Sequence, residues 1–151
     1  MEKQEIIEQL KQYFDIEELV CNHIIERYDG EKAWLFLHKD LLHTLLVLRK
    51  DILKVPLYCN IHKNCLTQRG LRCNLCEIVK NKTDNGNLYM SAHVLGSALD
   101  LTSPEMTAKE MRKAIMSEAD KLPCNVRIED NVDWLHIDIY DTGNRVYLFM
   151  P

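Results

Sequence analysis

Two hydrophobic periods divide this chain, and their order along it limits the architecture more than any other feature. Up to Ile52 the apolar residues recur at helical spacing. Ile6, Ile7, Leu10 and Phe14 form the first run, and Leu41, Leu45, Leu48 and Ile52 form the second at positions i, i+4, i+7 and i+11. After Asn125 the pattern changes to short alternating runs, NVRIE, WLHIDIY and RVYLFM, with Gly143 in the last break. Helices first and clustered strands last predict an α+β fold with an antiparallel strand set in the tail.

Between these blocks the signals are local. Asp15 to Leu19 predicts a restart after a turn, and VPLYCNI over 55–61 predicts a strand whose Pro56 confines it to an edge or an entry position. The segment from His62 to Met90 is expected to be loop-rich, because KNKTDNGN favours turns. Ser103 before Pro104 marks a helix start, with Ala108, Met111, Ile115, Ala119 and Leu122 along one face and an end by Pro123.

With 151 residues, 46% apolar and 28% charged, the chain is expected to form one domain over residues 1–151. The formal net charge of -4 provides no global positive field to draw it to nucleic acid or to an anionic membrane. The N-terminal MEKQEIIEQLKQYF lacks the apolar core of a secretory signal, and no transmembrane run is present, so synthesis in the cytoplasm is expected. The six cysteines are then expected as reduced, mostly structural thiols, with Cys21 and Cys124 as small buried hydrophobes.

The residues that carry chemistry fall in two segments. Ser91 to Asp100 reads S-x-H-x-x-G-x-A-x-D, and Asp133 to Asp138 reads D-x-x-H-x-D. His93 and Asp100 cannot both reach one ion from a regular element, because seven residues span roughly 23 Å extended and rise about 10 Å as a helix. The chain must bend between them, and Gly96 sits where a bend is easiest. His136 and Asp138 share a face if they lie on a strand.

Together these segments resemble the zinc signature of the D-Ala-D-Ala carboxypeptidase and L-alanyl-D-glutamate endopeptidase family, which shares its fold with the hedgehog signalling domain. Gly70-Leu-Arg72 in TQRGLRCN resembles that family's S-G-Y-R segment. The resemblance runs from about Phe14 to the C-terminus. It implies an antiparallel sheet carrying the zinc site with helices packed on one side, and Zn2+ held by His93, Asp100 and His136. Two imidazoles and one carboxylate leave a position for water, as catalytic zinc sites do. The resemblance also implies Asp133 as the general base and Arg72 as the stabiliser of the oxyanion, with Asp138 and Ser91 supporting the ligands from behind.

The implied function is hydrolysis of bacterial peptidoglycan stem peptides by a monomer, with the bond between L-Ala and D-Glu favoured over terminal D-Ala. The segment from Cys73 to Met90 suits an open rim rather than a cap over a terminal carboxylate. A phage endolysin fits the small size and the absence of a signal, the enzyme reaching the wall by lysis from inside or by delivery on a particle. A zinc-binding module of the same fold without hydrolytic activity is the alternative. A third candidate is a second metal at Cys73-Asn-Leu-Cys76, completed by Cys59, Cys65 or His62. His23, His38 and His43 show no metal spacing, and His62 is a candidate for lining the cleft.

Overall fold

The computed structural model describes residues 1–61, 66–84 and 86–151. The first half is helical, as its periodicity requires. α1 (Lys3–Leu10) is closed at its start by a reciprocal Glu2–Glu5 capping box. A 3-10 turn at Ile16–Glu18 is closed the same way by Asp15 and Glu18. α2 (Asn22–Arg27) and α3 (Gly30–Ala33) are short, whereas α4 (Lys39–Val47) runs on through a π-helical turn at Leu48–Ile52. Ile6, Ile7, Leu10 and Phe14 are buried, as are Leu41, Leu45, Leu48 and Ile52, and α1 packs directly on α4. Each such side chain contributes about 2 kcal/mol by leaving water.

The sheet has the order β1-β3-β2-β4, built from β1 (Ala98–Leu101), β2 (Val126–Glu129), β3 (Leu135–Asp138) and β4 (Val146–Phe149). β3 pairs antiparallel with β1 and with β2, but β4 pairs parallel with β2, so the sheet is mixed rather than antiparallel throughout. The cause is occupancy. Both edges of β3 are taken, so the returning chain docks on the outer edge of β2, and reversing from β3 makes it run alongside β2 in the same sense.

Alternation divides this sheet into two faces. Leu99, Leu101, Val126, Ile128, Leu135 and Ile137 enter the core cluster together with Met111 and Ile115 of α6 (Ala108–Ser117). The intervening positions, Asp100, Arg127, Glu129, His136 and Asp138, line a cleft instead.

Three local expectations shift. Residues 55–61 form no strand, only isolated bridges of Tyr58 to Thr102 and Ile61 to Leu66. α6 begins at Ala108 rather than beside Pro104, because Thr107 and Glu110 form a capping box, while the Ser103 hydroxyl accepts only a local hydrogen bond from the Glu105 N–H. The segment from Cys73 to Met90 contains α5 (Glu77–Thr83) with Val79 buried, and is less loop-like than its composition. No described helix is long and apolar enough to cross a membrane.

The bend between His93 and Asp100 is made at Gly96, where φ is +66° and an added Cβ would sit 2.2 Å from the Phe36 carbonyl oxygen. Gly143 also has a positive φ, +85°, but open space around it. Gly96→Ala should therefore lower stability by at least about 3 kcal/mol, since clash adds to strain, whereas Gly143→Ala should cost only about 1 kcal/mol. Urea unfolding midpoints of the two variants measure the difference.

Candidate metal centre

The site is assembled by strand pairing. In the antiparallel register of β1 and β3, Asp100 lies directly opposite His136, and Ala98 lies opposite Asp138. Opposed Cβ atoms in such pairs are about 5 Å apart, so a carboxylate and an imidazole on one face must meet. They do: Asp100 Oδ1 is 2.8 Å from His136 Nδ1. His93 arrives from the turn before β1 and places Nε2 3.4 Å from the same oxygen. All three residues are buried.

His93 is oriented from behind. Its Nδ1 lies 2.8 Å from the Gly70 carbonyl oxygen, which can only accept, so Nδ1 carries a proton and Nε2 is the nitrogen turned toward Asp100. The Arg72 N–H donates to the His93 carbonyl at 3.2 Å, so the segment after Gly70 grips the histidine at two points.

His136 is held on its other side by Asp138, whose Oδ2 is 3.0 Å from Nε2. Asp138 is fully buried, and Arg127 donates to it through Nε at 3.0 Å and Nη2 at 2.9 Å, while the Tyr140 N–H adds a third bond at 3.0 Å. The fork geometry suits a desolvated carboxylate. Arg127 comes from β2, in register with Asp138, and its guanidinium also lies over the rings of Tyr140 and Phe149, 4.7 Å from each centroid. The Phe149 ring meets the His136 ring edge-on at 5.7 Å.

Charge follows from this arrangement. Burial pushes the His136 imidazole down, but hydrogen bonds to Asp100 and Asp138 outweigh it and raise the group to about 9. Burial pushes Asp100 up, and hydrogen bonds from His136 and His93 more than reverse this, holding it well below the ordinary carboxylate range. Asp138 is likewise lowered against burial, by His136 and Arg127. Among the described residues no buried side-chain polar atom lacks a partner.

One nitrogen each of His93 and His136 and an oxygen of Asp100 lie within 4.8 Å of one another and can hold a metal ion. The distances of 2.8 and 3.4 Å from Asp100 to the two histidines are near the roughly 3.3 Å edge of a tetrahedron with 2 Å bonds. The donor set of two imidazoles and a carboxylate fits zinc.

The other expected residues divide. Arg72 lines the cleft, with Nη2 3.6 Å from Asp100 Oδ2 and Nε donating to the Gln68 carbonyl at 2.5 Å. Ser91 lines it too, and its hydroxyl accepts from the Val94 N–H at 3.4 Å, bracing the turn that carries His93. Asp133 is exposed and lines a neighbouring pocket with Thr107, Met111, Arg112 and Val132 rather than the cleft of the histidines. Glu129 lines that cleft instead. His62 lies outside the described residues.

Sequence reasoning missed Arg127 and Glu129. Their signal was present, since Val126 and Ile128 alternate with them and both are buried. The register that brings Arg127 beside Asp138 is not written in NVRIE.

No protein-family model, curated protein or solved structure matches the chain. The chemistry of the site itself therefore carries its interpretation.

Two outcomes are expected. An ordinary histidine releases its proton near 6.5, whereas folded His136 holds one to about 9. Between these values the metal-free folded state binds more protons than the unfolded chain, so its thermal midpoint should fall as pH rises through that window. His136→Gln should flatten the slope. Asp138→Asn should weaken zinc affinity by about 10- to 100-fold, the usual cost of altering the carboxylate behind a ligating histidine, as read by chelator competition.

Proposed function

We propose that the chain is a zinc-dependent peptidase acting on peptidoglycan stem peptides, of the fold and family that its motifs resemble. The observation that carries this reading is the convergence of His93 Nε2, Asp100 and His136 Nδ1, each histidine held at its remaining nitrogen by Gly70 or Asp138. Three protein ligands are the mark of a catalytic rather than a closed structural site. A zinc ion held by these atoms supplies a Lewis acid and lowers the pKa of a water molecule to about 7.

The protein supplies the rest. Asp138, fixed by Arg127, keeps the His136 ring oriented with Nδ1 toward the ion. Arg72 offers a fixed positive charge at the cleft wall for the oxyanion that develops on the scissile carbonyl. By resemblance the proton acceptor would be Asp133, three residues before His136, taking the water proton and passing it to the leaving amine. Tyr89, Met90, Trp134 and Phe149 give the cleft apolar walls suited to the methyl and methylene groups of a stem peptide. The bond between L-Ala and D-Glu is favoured, because among the described residues the segment from Cys73 to Met90 borders the cleft only through Tyr89 and Met90.

Glu129 lines the cleft while Asp133 lines its neighbour, which favours Glu129 as the rival base. The same displacement of Asp133 supports a second reading, a zinc module of this fold that binds without hydrolysing.

Digestion of purified sacculi and of a free pentapeptide stem by zinc-loaded protein, followed by product masses, tests the proposal. A cut between L-Ala and D-Glu is expected, and Asp133→Asn should retain zinc but lose at least about 100-fold in rate. Loss with Glu129→Gln alone would transfer the base role. Absence of any cleavage would leave the non-hydrolysing module.

A further inference from the structure

A second cluster of ligating side chains lies away from the cleft. Cys21 and His23 flank the start of α2, and Cys73 and Cys76 end the segment that follows Gly70. One ligand atom from each of the four lies within 4.8 Å of every other. His23 Nδ1 is 3.4 Å from Cys73 Sγ and 3.8 Å from Cys76 Sγ, and the two sulfurs are 4.0 Å apart. These separations match the edges of roughly 3.6 to 3.8 Å that a tetrahedron needs with Zn–S bonds near 2.3 Å and Zn–N near 2.0 Å. They are far beyond the roughly 2.05 Å of a disulfide bond, and all four residues belong to a chain whose described cysteines are free.

The backbone is shaped for the same purpose. Cys73 and Cys76 close a tight turn, the Cys76 N–H donating to the Cys73 carbonyl at 3.1 Å. Within it the Leu75 N–H donates to Cys73 Sγ at 3.3 Å. The two halves are joined by a bridge of Val20 to Leu71 and by the Cys21 N–H donating to the Leu71 carbonyl at 3.1 Å.

We propose that Cys21, His23, Cys73 and Cys76 bind a structural zinc ion, separate from the centre at His93, Asp100 and His136. Four protein ligands leave no open position, so the site braces rather than catalyses. Its partners differ from those expected for Cys73 and Cys76. Cys59 is buried elsewhere against Asn60 and Arg69, and Cys65 and His62 lie outside the described residues. The ion ties the segment bearing Gly70 and Arg72 to α2, fixing from outside the same segment that grips His93.

The test uses the full chain loaded with zinc and, separately, with cobalt. Two zinc ions per chain are expected, one lost in His136→Ala and the other in Cys73→Ser. Cobalt-loaded wild type should show intense tetrahedral bands with thiolate-to-cobalt charge transfer, unchanged in His136→Ala and lost or shifted in Cys73→Ser. Because only the second site contains sulfur, this signature separates its failure from that of the cleft, and it needs only the wild-type fold. Wild type without thiolate-to-cobalt absorption, or with that absorption unchanged in position and intensity in Cys73→Ser, would overturn the assignment.

Discussion

The antiparallel register of β1 against β3 is the constraint on which the site depends. It sets Asp100 opposite His136, while the register of β2 against β3 aligns Asp138 with Arg127. A slip of β3 by one residue would turn His136 and Asp138 into the apolar core and expose Leu135 and Ile137. The apolar face thus selects the register, and the register assembles the polar face. Packing and chemistry are two consequences of one alignment.

That polar face is costly to hold together. Asp100, Asp138 and His136 are buried with alternating charge, and removing one partner strands another in a poorly solvated place. The fork from Arg127 to Asp138 is what makes a fully buried carboxylate tolerable behind a histidine. The rings of Tyr140 and Phe149 around that guanidinium extend the network to β4. β4 reaches this position only because it pairs parallel on the outer edge of β2.

Much of this was legible in the residues. The stripe from Leu41 to Ile52, the tail strands and the bend at Gly96 were readable because period and left-handed backbone leave local marks. His93, Asp100 and His136 were marked by the resemblance of their motifs. Asp133, implied by the same resemblance, lines a different pocket, because a motif fixes positions along the chain and not where a turn flanking a strand points its side chain. Arg127 was hidden because cross-strand partnership depends on register. The mixed sheet was hidden because strand order depends on which edges are already filled. The pairing of Cys73 and Cys76 with Cys21 and His23 was hidden for a related reason: Cys21 and His23 carry no spacing signature of their own, and only the bridge between Val20 and Leu71 brings the pairs together.

The distances along the chain within each cluster bear on how the protein acquires its final form. Asp100 and His136 are 36 residues apart, and His23 is 50 residues from Cys73. Neither set of ligands can gather before a long loop has closed, and loop closure is the slow, entropically opposed part of folding. Short neighbouring pairs such as Cys73 and Cys76 are available from the start, so an ion met early would find incomplete and interchangeable partners. The helical half, whose contacts between α1 and α4 need no ion, is the part able to form first and give the late-arriving strands a surface on which to choose their alignment.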